Sequence, residues 1–465
     1  MKFKTLALLS FVFFNFLGNA QHLKRKGSFG VGYYSSIPDS ISKKLNLKSS
    51  KGALINFIVP NSTAESLKLL ANDQIVKINN QEIENASNFL KKVKQLKAGD
   101  QLSVVFLRNN KSITTKGIVK GKPFETSNTA EIIYDEFAFD NGYIRTILRK
   151  PKLKKPLATI YYLQGISCYS LDNMQETDPT KKILNGLVER GFAVYVVEKA
   201  GMGDSDSPTP CQDMGFNQEL ELFREGYKKL LNEKDLNPNQ IYLFGHSLGG
   251  IVAPLLAKEF NPKGVVVYGT GVKPWSDYLI EAIKVQSLLY GSDLANLQDT
   301  IEMMKPALYD LFYNNKNINE IIQDPIKLWA LREALGYDTI SKMAIAGRSI
   351  QYHVELSKVN QAKAWKETKS DVLTMYGECD IAALYPDDHI AIVNYVNSIN
   401  PGKGTYTFIP KTNHTIQEVG TMQEFIKMQE NPNAYEKYAA EHFNWKVLDI
   451  ITDWVKKIEA TQPEK

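Results

Sequence analysis

The sequence predicts an α/β protein with a largely parallel sheet, preceded by a smaller β-rich domain. From Ala130 to about residue 460, apolar runs typical of strands alternate with stretches typical of helices, which is the pattern of strand–helix–strand units with parallel strands. Residues 24–120 instead contain short β-like runs joined by turns and short helices. The chain has 465 residues, 43% of them hydrophobic, so it is long enough for two or three domains with a large core.

Composition excludes several functional classes. Lys and Arg number 56 against 51 Asp and Glu, a net charge of +5, and no block of five or six basic residues is present to neutralise a phosphate backbone. Nucleic acid is therefore not an expected partner. The three cysteines are too few for a disulfide framework, and none forms a Cys-x-x-Cys pair that would indicate zinc or redox chemistry. We expect no metal and no organic cofactor.

Residues 1–20 have the pattern of a secretory signal peptide. Two lysines within the first four residues precede an apolar run, Leu6 to Leu17, and Gly18-Asn19-Ala20 provides a small-x-small cleavage site. An uncleaved membrane anchor is the alternative, but the run is shorter than the ~20 residues that span a bilayer. We expect a mature chain starting at Gln21, exported to the periplasm or secreted, with no stable membrane insertion after cleavage.

The β-rich module at 24–120 has three characteristic segments. These are Phe29-Gly30-Val31, then Asn61-Ser62-Thr63-Ala64 before a short helix, and Asn72-Asp73-Gln74-Ile75 at the start of a strand. With them the module resembles a PDZ domain, particularly those of bacterial periplasmic proteases. Asn72 and Asn80 replace two glycines of that family, and asparagine is the next best residue for positive φ.

The PDZ resemblance implies a binding loop. The backbone N–H groups of Phe29, Gly30 and Val31 would hold the carboxylate of a peptide C-terminus, while the peptide adds a strand to the sheet edge. The alternative is a PDZ domain that only packs against its neighbour and binds nothing. A polar linker, residues 121–129, separates this module from the α/β domain, residues 130–460.

The most specific motif of the α/β domain is Gly245-His246-Ser247-Leu248-Gly249, which follows a strand and leads directly into a helical pattern. A serine on a strained strand-to-helix turn exposes its Oγ, and small residues two positions away on either side let strand and helix approach closely. With eight strands in this order the domain resembles the α/β-hydrolase fold. Ser247 is accordingly the candidate nucleophile.

A serine nucleophile needs a base and an acid that orients the base. In the family these follow in the order Ser, acid, His at the ends of the last strands. Asp380 lies at the end of the seventh predicted strand in a segment that resembles the family's Gly-x-x-Asp, and His414 follows the eighth. Glu378 and Asp277 are the competing candidates for the acid.

The same resemblance supplies the oxyanion donors. The third strand ends in Gln164-Gly165-Ile166, where many relatives have His-Gly-x, so the backbone N–H groups of Ile166 and Leu248 are the expected pair. In this fold the loops that carry Cys168 and Cys211 are neighbours, and an exported protein could join them by a disulfide. Two free thiols are the alternative.

Residues 272–370, after the sixth strand, form a helical insertion where the family carries its lid, and the expected helices include one from Ile340 to Ile350.

The favoured interpretation is an exported serine hydrolase that cleaves an ester or related acyl bond of a small-molecule substrate or short peptide through an acyl-enzyme. A peptidase of the proline-iminopeptidase type is the alternative within this class. From another class, the chain could be a catalytically idle PDZ protein that binds peptide C-termini.

Overall fold

The computed structural model describes residues 21–461. The predicted signal peptide, residues 1–20, lies outside the described residues. Two domains follow one another along the chain, joined by residues 119–129. In the part of the chain that is described, no helix is both long and apolar enough to cross a membrane.

The N-terminal domain is a strongly bent antiparallel sheet with three short helices. Its sheet order is β1-β2-β3-β5-β6, with β4 paired to β3, so β1 is an edge strand. Ser62 caps α2, and Asn72 and Asn80 have φ of 73° and 63°, which confirms that asparagine replaces glycine at positive φ here. The elements are β1 (Val31–Tyr33), α1 (Asp39–Lys44), β2 (Ala53–Ile58), α2 (Thr63–Ser66), β3 (Gln74–Ile78), β4 (Gln81–Glu82), α3 (Ala86–Val93), β5 (Gln101–Arg108) and β6 (Lys111–Ile118).

The second domain is built on an eight-stranded sheet with the order β16-β15-β12-β11-β9-β10-β8-β7. β8 runs antiparallel to both β7 and β10, and the remaining neighbours are parallel. The strands are β7 (Ala130–Phe139), β8 (Gly142–Pro151), β9 (Thr159–Leu163), β10 (Ala193–Val197), β11 (Ile241–His246), β12 (Gly264–Tyr268), β15 (Asp371–Cys379) and β16 (Gly404–Asn413). This strand order and direction confirm the predicted α/β-hydrolase fold.

Helices cover both faces of this sheet, as parallel strands require. One apolar core lies beneath α5, α6 and α13, and a second lies beneath α4 and α16. The central strands β9, β10 and β12 are buried along their whole length. The helices outside the insertion are α4 (Pro179–Glu189), α5 (Phe216–Leu231), α6 (Gly249–Phe260), α13 (Pro386–Ile399), α14 (Met422–Gln429), α15 (Pro432–Glu441) and α16 (Lys446–Ala460).

The segment between β12 and β15 is mainly helical and has an apolar core of its own. The predicted helix from Ile340 to Ile350 is wrong: a two-stranded hairpin occupies this stretch, because Ala346 and Gly347 have φ of 57° and 66°, which breaks helical geometry. The elements are α7 (Trp275–Leu289), α8 (Leu294–Phe312), α9 (Ile318–Ile321), α10 (Pro325–Leu335), β13 (Met343–Ala344), β14 (Arg348–Ser349), α11 (Ile350–Leu356) and α12 (Gln361–Glu367).

The two domains are joined by buried ion pairs as well as by the chain. Arg25, from the segment that precedes β1, lies 2.7 Å from Asp172 and 2.5 Å from Asp204 of the second domain. Its guanidinium also stacks over the ring of Phe124 at 4.6 Å. Lys26 donates through Nζ to the carbonyl of Gly201 at 2.7 Å. Because Arg25 and its two carboxylate partners are buried, separating the domains would leave these charges without their partners.

Candidate active site

Ser247 lies on a tight turn between β11 and α6. Its φ is 55°, a value that non-glycine residues adopt only where surrounding structure enforces it. A Cβ on Gly245 would lie 2.4 Å from the carbonyl oxygen of Gly249, and a Cβ on Gly249 would lie 2.0 Å from the carbonyl oxygen of Leu163. The two glycines are therefore what lets the strand and the helix approach closely enough to form the turn, as the motif predicted.

His414 and Asp380 form a hydrogen-bonded pair. Nδ1 of His414 lies 2.8 Å from Oδ2 and 3.0 Å from Oδ1 of Asp380. Asp380 also accepts hydrogen bonds from the backbone N–H groups of Ala382 and Ala383, at 2.8 and 2.7 Å. An Nδ1–H that donates to Asp380 leaves Nε2 of His414 as a proton acceptor, and His414 lines the same cavity as Ser247.

The two members of this pair stabilise each other's charged forms. Burial alone would raise the pKa of Asp380, but His414 and the two backbone donors outweigh burial and hold that pKa below its ordinary value. Burial likewise opposes protonation of His414, yet Asp380 raises the pKa of His414 above its ordinary value. This electrostatic arrangement suits a base that becomes an imidazolium during reaction.

Neither competing acid contacts His414. Glu378 is exposed and accepts from the backbone N–H of Lys411 at 2.7 Å. Asp277 is also exposed, at the start of α7, and its carboxylate receives the hydroxyl of Ser276 at 3.3 Å. Of the three acids considered from the sequence, the structure brings only Asp380 to the histidine.

The expected oxyanion residues Ile166 and Leu248 both line the cavity. Gly165 sits against the nucleophile, since a Cβ built on it would lie 3.6 Å from Oγ of Ser247. Leu248 immediately precedes α6, so its N–H belongs to the positive end of that helix. The loop after β9 and the start of α6 thus meet at Ser247, as an oxyanion hole requires.

Two buried cations hold the carbonyl groups of the oxyanion loop. Lys199 donates through Nζ to the carbonyl oxygens of Gly165 at 2.6 Å and Ile166 at 3.3 Å. Arg348 donates through Nη1 to the carbonyl oxygen of Ile166 at 3.0 Å. In a trans peptide the C=O of Gly165 and the N–H of Ile166 point in opposite directions. Because Lys199 holds the carbonyl of Gly165, the N–H of Ile166 points away from Lys199.

Glu219 balances the charges of these two cations. Its carboxylate lies 2.7 Å from Arg348 and 3.2 Å from Lys199, and Tyr352 donates to it at 3.2 Å. Burial lowers the pKa of Lys199 to about 8, even though Glu219 favours its charged form. Sequence analysis missed this cluster, because three charged residues at positions 199, 219 and 348 carry no local signal of being buried together.

His246, the residue before the nucleophile, supports the loop that carries His414. Its Nε2 lies 2.8 Å from the carbonyl oxygen of His414, and the two imidazole rings are 5.2 Å apart. Burial lowers the pKa of His246 to about 4, so the ring stays neutral and can donate to that carbonyl at neutral pH. The sequence placed His246 inside the motif but gave it no role.

Cys168 and Cys211 form a disulfide with Cα atoms 5.9 Å apart, the pairing expected from the family resemblance. Cys168 follows Ile166 by two residues, so the bond ties the oxyanion loop to the segment before α5. Cys379 is a buried free thiol, and burial raises its pKa to about 11. That thiol stays protonated at neutral pH and packs as a small apolar residue.

The cavity above Ser247 has a volume of about 360 Å³. Residues of the insertion form part of its wall. Among the described residues that line it there is no aspartate or glutamate, and Lys273 supplies the single lysine or arginine. The ammonium of Lys273 is already paired with Glu281. The apolar part of the lining includes Ile166, Leu248, Ile251, Trp275, Tyr278 and Ile345.

The predicted carboxylate loop of the first domain has a left-handed residue at its centre. Gly30 has a φ of 75°, and a Cβ there would lie 2.0 Å from Cβ of Ser62, so only glycine fits. Phe29 is buried and contacts Phe89 of α3 edge-on at 5.4 Å. Val59 donates its N–H to the carbonyl of Gly30, and alternation along the antiparallel pair then directs the N–H of Val31 away from β2.

Within residues 21–461 no group of three or more potential ligands could hold a metal ion.

Two family models match the chain. The model described as serine aminopeptidase, S33, matches residues 176–355, and the PDZ domain model matches residues 40–117. The first match contains Ser247 but ends before Asp380 and His414. The second begins after the Phe29-Gly30-Val31 loop. Each match therefore covers part of a domain, and the geometry above supplies the remainder.

The chain is also similar to individual proteins over parts of its length. Esterase EstD of Thermotoga maritima is 26% identical over 160 residues, 33% of this chain and 37% of EstD. A probable periplasmic serine protease do/HhoA-like of Haemophilus influenzae is 29% identical over 92 residues, 20% of each chain. The chain thus spans well under two thirds of these curated relatives. The solved esterase domain from a Rhodothermus marinus protein is 15% identical, with 70% of this chain and 98% of that chain covered and a TM-score of 0.39.

Proposed function

Because this chain is an α/β hydrolase with an N-terminal PDZ domain, we propose that it is a serine esterase that works through Ser247, His414 and Asp380. The observation that carries the proposal is the hydrogen-bonded His414–Asp380 pair, whose histidine lines the same cavity as a serine that the backbone holds at positive φ. A serine in that setting has a base within its own cavity and a conformation that exposes its hydroxyl.

The reaction proceeds in two halves. Oγ of Ser247 attacks the ester carbonyl while Nε2 of His414 takes the serine proton, and the N–H groups of Ile166 and Leu248 stabilise the oxyanion. His414 then protonates the departing alcohol, which leaves an acyl group on Ser247. In the second half His414 removes a proton from water, the hydroxide attacks the acyl carbon, and the acid product leaves with the serine restored. Asp380 keeps the ring of His414 oriented throughout.

The charges that line the cavity favour an uncharged ester as substrate over a peptide with a free N-terminal ammonium. An aminopeptidase must hold the free ammonium of its substrate, which requires a carboxylate at the site. The described lining offers none, and Lys273 would repel an ammonium. The cavity volume of about 360 Å³ lies at the small end of ligand pockets. We therefore expect uncharged esters with short to medium acyl chains.

We further propose that the protein is exported and that its PDZ domain binds peptide C-termini. Export is supported by the pattern of residues 1–20 and by the Cys168–Cys211 disulfide, since such bonds persist outside the cytosol. Peptide binding is supported by the outward N–H of Val31 and the shape of Gly30. Edman sequencing of the mature protein and cell fractionation test the export proposal, which predicts an N-terminus at Gln21.

The test of the activity compares p-nitrophenyl esters from acetyl to palmitoyl with aminoacyl p-nitroanilides. The protein begins at Gln21, and Ser247→Ala is the matched control. We expect turnover of the shorter esters, none of the anilides, and no turnover by the control. Preference for the anilides would assign the peptidase function instead. If wild type and control are equally inert and neither takes a fluorophosphonate label, the domain is catalytically idle and the PDZ domain carries the function.

A further inference from the structure

A groove of about 630 Å³ lies where the two domains meet. One wall is the edge strand β1 and the facing helix α3, with the side chains of Val31, Tyr33 and Phe89. The opposite wall belongs to the hydrolase domain and contains the turn Gly201–Gly203 and Cys168. The peptide groove of this PDZ domain is thus closed by a second domain on one side.

The end of the groove at the carboxylate loop is positively charged. Lys26, Lys94 and Lys122 line it together with apolar side chains of α3, and the described lining contains no acidic residue. The pKa of Lys26 is lowered by burial and by the neighbouring Lys97 and Lys122, so an anion placed here would relieve repulsion. This end of the groove suits an apolar C-terminal residue with its free carboxylate. The edge strand β1 can pair with the extended backbone of the same peptide.

The hydrolase wall of the groove is the back of the oxyanion loop. Lys26 donates to the carbonyl of Gly201, two residues after Lys199, which holds Gly165 and Ile166. Cys168, two residues after Ile166, lines the groove directly. The segment 165–168 therefore faces the catalytic cavity on one side and the PDZ groove on the other.

We propose that a peptide C-terminus in this groove is bound by both domains and that its binding restrains the oxyanion loop and raises kcat. This inference rests on the proposed esterase function for its effect on kcat, but not for its effect on binding. A ligand packed against Met202 and Cys168 limits displacement of the loop, so Ile166 keeps its N–H directed at the oxyanion. By linkage, if the peptide strengthens binding of a ligand in the oxyanion hole, that ligand strengthens peptide binding by the same factor.

The binding test uses pools of fluorescein-labelled hexapeptides with a fixed C-terminal Val, Phe, Asp or Lys, followed by fluorescence anisotropy. We expect the Val and Phe pools to bind and their C-terminal amides to bind at least about tenfold more weakly. Met202→Glu, on the hydrolase wall, should weaken binding at least about tenfold, whereas Met303→Glu, exposed on α8, should not. Lys122→Met, at an exposed site whose side chain makes no hydrogen bond or ion pair within the described residues, should weaken binding about threefold.

Three results would overturn the two-domain groove: no pool binds, Met202→Glu binds as wild type, or decanoate displaces the peptide with equal affinity. The last would assign the groove to free carboxylic acids. The coupling is tested separately. Saturating peptide should raise kcat on the best ester at least about fivefold, within the usual range of allosteric coupling, and should slow amide hydrogen exchange in residues 164–171.

The exchange measurement separates this inference from the proposed function. If the protein hydrolyses no ester but peptide still protects residues 164–171, the esterase proposal fails and the groove stands. If esters are hydrolysed but saturating peptide changes neither kcat nor exchange in that segment, the coupling is refuted and the esterase stands.

Discussion

Replacing Lys199 with methionine removes the cation that orients the oxyanion loop while keeping the length and apolar stem of the side chain. The substitution removes donors to the carbonyls of Gly165 and Ile166. Arg348 still holds the carbonyl of Ile166, so the loop is loosened but not released. The N–H of Ile166 then has no fixed direction, and the loss should be felt where negative charge develops, in the transition state.

The size of the effect follows from the contacts. A hydrogen bond to a charged donor contributes about 1.5–3 kcal/mol, and each ~1.4 kcal/mol corresponds to tenfold in rate. With Arg348 still in place we expect the lower end, a fall in kcat of about tenfold and a change in KM of less than about twofold. Stability should fall by only about 1–3 kcal/mol, because Glu219 keeps Arg348 as a partner and no buried charge is orphaned.

The assay is steady-state hydrolysis of the best p-nitrophenyl ester as a function of pH, with thermal unfolding of each variant. Lys181→Met is the matched control, since Lys181 also bonds a carbonyl and a carboxylate but lies in the first turn of α4, away from the oxyanion loop. The pKa of Lys199 is about 8, so wild-type kcat should decline as pH rises through that value and the charged donor is lost. That alkaline limb should be absent from Lys199→Met.

A Lys199→Met protein that is folded and has wild-type kcat would refute this reasoning. So would a loss confined to KM, or an alkaline limb that persists in the variant. The variant Glu219→Gln tests the charge balance of the same cluster by its effect on the free energy of unfolding. It leaves Lys199 and Arg348 as two buried like charges, and breaking a buried pair in this way costs about 3–5 kcal/mol, more than removing Lys199.

Three further predictions concern the triad, the disulfide and the elbow. Asp380→Asn should lower kcat by about 10³–10⁴-fold. It should also shift the acidic limb of kcat/KM to lower pH, because loss of the carboxylate lowers the pKa of His414 and the imidazole then stays neutral down to a lower pH. Cys211→Ser, which frees Cys168 and opens a disulfide of sequence separation 43, should lower the free energy of unfolding by about 4 kcal/mol on the chain-entropy estimate, measured by urea denaturation. Gly249→Ala places a Cβ 2.0 Å from a backbone carbonyl and should abolish fluorophosphonate labelling, whereas a labelled, stable variant would contradict the close-packing argument.

The sequence predicted those parts of the site that follow a strand. Ser247, Asp380 and His414 each come directly after the last residue of a strand, and a parallel sheet brings the ends of its strands together. The first strand of the domain begins at Ala130, where the sequence predicted the start of the α/β domain after a polar linker. Local pattern was sufficient for these features.

Local sequence pattern did not predict the backbone around Arg348, because that residue pairs with Glu219, which is distant in the sequence. Ile340–Ile350 has apolar spacing compatible with a helix, but Arg348 must be extended to reach Glu219, and this ion pair together with Gly347 decides the backbone there. An arginine in a helical pattern is normally a solvated residue. Nothing in the neighbouring residues shows that its charge is buried, so tertiary structure was needed to find it.

Through Arg348, the insertion supplies a hydrogen-bond donor to the oxyanion loop as well as part of the cavity wall. Ala344 and Ile345 belong to the apolar core of the insertion, a few residues before the arginine that bonds the carbonyl of Ile166. A displacement of the insertion that carried the β13–β14 hairpin with it would therefore withdraw a donor from the oxyanion loop. We therefore expect that any opening of the insertion for substrate entry leaves that hairpin in place and occurs within α7–α10. A cross-link that fixes the hairpin to α5 should accordingly leave ester turnover intact, and one that fixes α7 to the segment after β15 should block it.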